Sequence, residues 1–123
     1  LFQFMFASDR GNPRVADRYD VLAPGLLKLL QTLVERCDDG GVPISLCGEM
    51  AGRPIEAMAL IGLGFRDISM PPASIGAAKS MVQSLSVDSL RGYLATLLDL
   101  PDHSLRQKLS AYARDHGVAI EAG

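Results

Sequence analysis

The chain has 123 residues, 48% of them hydrophobic, and a formal net charge of −2. That length suits one compact domain or part of a larger one, and the apolar content is enough for a core and excludes a disordered polymer. There is no Lys/Arg cluster of the kind a nucleic-acid binder presents, and no apolar run near the ~20 residues of a membrane span. No nucleic-acid or membrane partner is expected.

The chain opens on Leu1-Phe2-Gln3-Phe4-Met5-Phe6, apolar from its first residue and without Met. Neither a basic n-region nor a cleavage site is present, so a secretory signal is not read here. The expectation is a piece of a longer chain whose upstream half is missing. Its two cysteines, Cys37 and Cys47, are expected to be reduced thiols in the cytosol. Residues 1–8 alternate in bulk as a strand does, but the run is too short for periodicity to settle its state.

Residues 9–23 hold Gly11, Asn12, Pro13 and charged residues, and read as a long functional loop. Residues 24–39 read as a helix. Pro24 suits its first turn, Leu26, Leu27, Leu30, Leu33, Val34 and Cys37 share one face, and Gly40-Gly41 ends it. Val42-Pro43-Ile44-Ser45-Leu46 reads as a short buried strand, followed by a turn from Gly48 to Arg53. A second helix runs from Pro54 through Ile61, stopped by Gly62 and Gly64. Residues 65–70 form a second short strand. Pro71-Pro72 opens a third helix with Ile75, Ala78, Met81, Val82 and Leu85 on one face. This alternation of strands and helices with short links predicts a parallel sheet covered by helices.

Residues 86–123 carry no strand signal. Ser86 is a candidate N-cap for a helix bearing Leu90, Tyr93, Leu94, Leu97 and Leu98. Pro101-Asp102 separates it from a helix with Leu105, Leu109, Tyr112 and Ala113, closed by His116-Gly117. The division expected is an α/β unit over residues 1–85 and a helical tail over residues 86–123.

Cys47 is the first candidate for chemistry. It follows a strand and precedes Gly48, and side chains at the C-terminal ends of parallel strands line active sites. A free cysteine, with a reference pKa of ~8.5, is mostly a thiol at neutral pH and can give a proton to a carbanion. The competing reading is a small buried hydrophobe, which is also the reading for Cys37. Arg10, between Asp9 and Gly11, suits two-pronged binding of phosphate or carboxylate, unless it is a surface arginine paired with Asp9. Glu49 can orient Cys47 or cap the following helix. His103 and His116 have no neighbours at metal-ligand spacing and read as surface residues.

Two stretches resemble a known family. The run Leu1 to Asn12, ending Ser8-Asp9-Arg10-Gly11-Asn12, is similar to the segment after the metal-binding Asn-Asp pair of the phosphoenolpyruvate-protein phosphotransferases, Enzyme I of the bacterial phosphotransferase system. Cys47-Gly48-Glu49-Met50-Ala51-Gly52 is similar to the motif around that family's proton-donor cysteine, and Phe65-Arg66-Asp67-Ile68-Ser69-Met70 resembles the strand that follows it. Arg53-Pro54 with Phe2-Gln3-Phe4-Met5-Phe6 most resembles the nitrogen-related paralogue.

The resemblance implies an α/β fold, the last two to three βα units of a (β/α)8 TIM barrel plus C-terminal helices. It implies a cytoplasmic, dimeric, magnesium-dependent transferase that moves the phosphoryl group of phosphoenolpyruvate to its own histidine. The group then passes to a small histidine carrier protein (HPr-like), and pyruvate is released. Cys47 would be the general acid at carbon 3 of the enolate, Arg10 a substrate-binding arginine, and Gly48 and Glu49 the residues supporting the cysteine. The magnesium ligands would precede Leu1, so no metal ligand is expected in this stretch, and the stretch alone is expected to be inactive. Two rivals are a barrel from a pyruvate phosphate dikinase or phosphoenolpyruvate synthase, and a non-catalytic module for dimerisation or docking.

Overall fold

The computed structural model describes residues 1–18 and 20–121. Its centre is the segment Pro-Ile-Glu-Ala-Met-Ala-Leu-Ile-Gly-Leu, which forms helix α3 (Pro54–Leu63). A helix that is apolar on nearly every side must be covered on every side. Here the covering comes from α2 (Pro24–Asp39), α4 (Pro72–Gln83), α5 (Val87–Leu97) and α6 (Arg106–Asp115), all of which pack on α3. Ala57, Met58, Ala59 and Leu60 of α3 are each fully buried. A Cβ on Gly62, inside α3, would meet Leu90 Cδ2 at 3.0 Å, so this glycine lets α5 approach closely. Gly62 therefore belongs to the helix, and Gly64, with φ 113°, ends it.

Two strands, β1 (Ser45–Cys47) and β2 (Asp67–Ser69), pair in parallel with Ser45 opposite Asp67, Leu46 opposite Ile68 and Cys47 opposite Ser69. Each strand is followed by a helix, so two consecutive β–α units are present, in a mixed α/β fold. The expected buried strand is corrected. Only Leu46 and Ile68 turn toward the core, while Ser45, Cys47, Asp67 and Ser69 lie on the open face, because alternate side chains of a strand point to opposite sides. A closed barrel is not formed among the described residues.

Residues 1–8 take the helical rather than the extended alternative. Helix α1 (Phe2–Met5) is a single turn, held by Met5 N–H to Leu1 O and Phe6 N–H to Phe2 O. With no strand alongside, the backbone satisfies its donors internally. Helices α2 and α3 begin at their prolines as expected. Leu33 of α2 is exposed, and of the apolar face expected on α4 only Ala78 and Met81 are buried, with Ile75 and Val82 exposed. Ser86 precedes α5 but makes no capping side-chain bond. Helices α5 and α6 contribute Leu90, Leu94, Leu97, Leu109, Tyr112 and Ala113 to the same core as α3. No described helix is long and apolar enough to cross a membrane.

Candidate functional site

The open face of β1 leads into a cavity of about 960 Å³, the size range of small-molecule sites. Cys47, Gly48 and Glu49 line it from the strand end, Arg10 and Gly11 from the loop after α1, and Arg53 and Arg106 complete its cationic side. Arg10 and Cys47, 37 positions apart in the chain, thus share one pocket.

Each side chain is set there by local chemistry. Asp9 does not pair with Arg10. Its Oδ1 accepts the Gly11 N–H at 2.9 Å, a turn that an Asp side chain commonly makes with the backbone two residues on. The Arg10 backbone N–H is bound by Gln3 Oε1 at 3.0 Å, and its guanidinium has no partner among the described residues. An exposed, unpaired arginine in a pocket is free to receive an anion. Cys47 is exposed, and Cys37 is half-buried on α2.

Gly48 has φ 114° and ψ −173°, backbone that is essentially restricted to glycine. This turn carries the chain from β1 into the single helical turn Glu49–Gly52 and on to α3. A Cβ on Gly48 would touch nothing, so the constraint is purely one of backbone. Gly48→Ala is expected to lower stability by ~1–3 kcal/mol, read by urea denaturation, and an unchanged midpoint would show that the turn relaxes without cost. Among the described residues Glu49 makes no side-chain capping bond to α3 and no hydrogen bond to Cys47. Its carboxylate faces Arg53 at 4.0 Å, and both are solvent-exposed.

Beneath the pocket lies a charge cluster that sequence reading did not identify. Glu56 is fully buried, and its Oε1 accepts from Arg106 Nη1 at 2.9 Å and lies 3.8 Å from Arg53 Nη1. Its Oε2 has no hydrogen-bond partner among the described residues. Arg106 Nη2 donates to Asp20 Oδ1 at 3.2 Å. The one available signal was Glu56 itself, a carboxylate inside an otherwise apolar helix, which demands a buried partner. The partner, 50 residues downstream, has no local signature.

Asp20 sits below the ordinary carboxylate range. Burial pushes its pKa up from 3.8, but hydrogen bonds from Ser104, the Leu22 N–H and Arg106, together with the Arg106 charge, outweigh that. The native state therefore holds its proton less tightly than the unfolded chain does. The resulting stability is complete above about pH 4 and fades as pH falls through the lowered folded value. Asp20→Asn is expected to flatten the acid limb of a melting-temperature profile below about pH 4, whereas parallel profiles for variant and wild type would rule the contribution out. Arg106 is held further toward its charged form. Burial opposes this, and the bonds and charges of Glu56 and Asp20 prevail.

The two histidines lie outside the pocket. The Nε2–H of His103 donates to the Asp17 carbonyl at 3.1 Å, and His116 stacks on Tyr112 with ring centroids 4.0 Å apart. No group of three His, Cys, Asp or Glu among the described residues could hold a metal ion. These residues do not by themselves fit a magnesium site.

Fold and site together define a mixed α/β domain with an arginine-lined pocket at a strand's carboxyl end. Residues 1–87 match the family described as PEP-utilising enzyme, PEP-binding domain, and the chain belongs to that family. It is 35% identical over a 126-residue alignment to the phosphoenolpyruvate-dependent phosphotransferase system protein of Escherichia coli (strain K12), covering 96% of this chain and 16% of that protein. It is 40% identical over 75 residues to the phosphoenolpyruvate-protein phosphotransferase of Cupriavidus necator, covering 61% and 13%. Against multiphosphoryl transfer protein 1 of Escherichia coli (strain K12) the identity is 35% over 91 residues, covering 74% and 11%. The chain thus spans about a sixth or less of the length of these curated relatives.

Proposed function

We propose that this chain is the C-terminal part of a phosphoenolpyruvate-binding barrel, residues 1–85, with a helical tail over residues 86–123. In this reading it serves a phosphoenolpyruvate-protein phosphotransferase that passes the phosphoryl group to a protein histidine, then to a histidine carrier protein, and releases pyruvate. Arg10 binds an anionic group of the substrate. Cys47 gives its thiol proton to carbon 3 of the enolate and is reprotonated from solvent. Gly48 sets the turn that presents the cysteine, and Glu49 keeps Arg53 at the rim. Magnesium, when bound, supplies neutralisation of the phosphate oxygens. The protein is cytoplasmic and dimeric in this reading, and Arg53-Pro54 together with Phe2-Gln3-Phe4-Met5-Phe6 favours the nitrogen-related branch.

The observation that carries the reading is the shared pocket of Arg10, with an unpaired guanidinium, and Cys47 at the end of β1. Family membership supports the substrate class. The test is incubation of the intact protein with phosphoenolpyruvate labelled in its phosphate, magnesium and the carrier. Acid-labile label on both proteins and stoichiometric pyruvate are expected. Pyruvate release dependent on AMP or free phosphate, with no label on the carrier, would move the chain to a dikinase or synthase.

A further inference from the structure

The segment that precedes and opens α6 holds the loop that carries Arg10. The His103 ring binds the Asp17 carbonyl, and the Leu105 N–H donates to Leu22 O at 2.9 Å. Arg106 donates to the Asp20 carboxylate at 3.2 Å. Three residues of the tail, His103, Leu105 and Arg106, are thus tied to one loop, more than 80 positions upstream. Through its other nitrogen Arg106 binds buried Glu56, which lies 3.8 Å from Arg53, and Arg53 faces Glu49 two residues after Cys47. A chain of alternating charge, Asp20–Arg106–Glu56–Arg53–Glu49, therefore joins the loop of Arg10 to the loop of Cys47.

The loop of Arg10 pairs with no strand among the described residues, whereas Cys47 ends β1 and is fixed by its register with Ser69. The turn amides of Asn12, Val15 and Arg18 bond only to carbonyls of their own loop. Arg10 and Cys47 can act on one small molecule only if they keep a fixed separation, and a misplacement of about 1 Å can cost ~100-fold in rate. A planar guanidinium with two carboxylate partners is suited to fixing such a separation.

We propose that residues 103–106 are a positioning element for the pocket, with Arg106 as the residue that ties the Arg10 loop to the Cys47 loop. Its role toward substrate rests on the function proposed above, whereas the clamp itself does not. The tail is then part of the binding apparatus without touching the ligand.

The test uses the intact protein and two readouts. One is amide exchange of residues 9–18 by mass spectrometry, and the other is protection of Cys47 from iodoacetamide by phosphoenolpyruvate. The double variant E56L/R106L removes the clamp but replaces a buried ion pair with apolar side chains, a change that often leaves stability intact. Loop exchange is expected to rise, and half-protection to need more phosphoenolpyruvate, each by about tenfold, the effect of one hydrogen bond to a charged group. Asp20→Asn, which removes the charge that strengthens the loop arm and leaves Arg106 on Glu56, should move both readouts the same way if the double variant folds poorly. Arg106→Lys should recover part of the loss. Val118→Ala, destabilising elsewhere in the core, should move neither.

Wild-type exchange in the folded clamp variants overturns the proposal, as does an equal change in Val118→Ala. Faster exchange with unaltered protection overturns the role at the pocket. Absence of protection in the wild type instead removes the proposed function, and the exchange result alone then decides the clamp.

Discussion

Cys47→Ala in the intact protein is expected to abolish pyruvate release while leaving phosphoenolpyruvate affinity within a few-fold of wild type. The thiol lies exposed at the end of β1, paired in register with Ser69, and it lines a pocket whose charged side chains are Arg10, Arg53, Arg106, Asp20 and Glu49. Arginines bind anions but, held charged at any ordinary pH, are poor proton donors. General acid catalysis by a positioned group contributes ~10²–10⁴-fold, and the neutral hydroxyls on the same open face, Ser45 and Ser69, are much weaker acids than a thiol. In the proposed function binding is carried by charge on other residues, so KM should change little while kcat falls by that factor. The measurement is steady-state pyruvate release beside calorimetric titration with phosphoenolpyruvate. Turnover within a few-fold of wild type would make Cys47 a lining residue only. Cys37→Ala is the control. Half-buried on α2 and outside the pocket, Cys37 should affect the melting temperature and not the rate.

Much of the frame could be read from local signals, because those signals are local in their physics. Pro24 and Gly40 bound α2, since proline suits a first turn and glycine an end. Cys47 before Gly48 at a strand end was readable because Gly48 needs its positive φ wherever the chain leaves β1. Other features depend on what packs against what. Ile75 and Val82 share the apolar stripe of α4, yet α4 meets the core through Ala78 and Met81, and no periodicity within the helix distinguishes the two pairs. Residues 2–5 alternate like a strand but form a helical turn, since a strand requires a neighbour to pair with and a turn does not. The Arg106–Glu56 contact spans 50 positions and joins the helical tail to the α/β unit, so only the isolated charge in α3 hinted at it.

That contact yields the largest stability effect expected in the molecule. Removing one member of a buried ion pair leaves an uncompensated charge in a medium that cannot solvate it, at a cost of ~3–5 kcal/mol. Glu56 is the member that matters, because its carboxylate is only 1% exposed whereas Arg106 is 40% exposed and can reach water. Arg106→Leu strands Glu56 with Arg53 at 3.8 Å as its remaining partner, so the lower end of that range applies. A loss of about 3 kcal/mol corresponds to roughly 10 °C in melting temperature for a domain near this size. Glu56→Leu should cost less, since the freed guanidinium keeps Asp20 and solvent. The double replacement should lie close to wild type, because neither charge is then left buried and the new side chains join Ala57 and Leu60 in the core. The two single changes are therefore strongly non-additive, and a double-mutant cycle by calorimetry reads the coupling directly. Additive losses, with the double variant the least stable of the three, would mean that the two side chains stabilise the fold through separate neighbours and that the 2.9 Å contact contributes little.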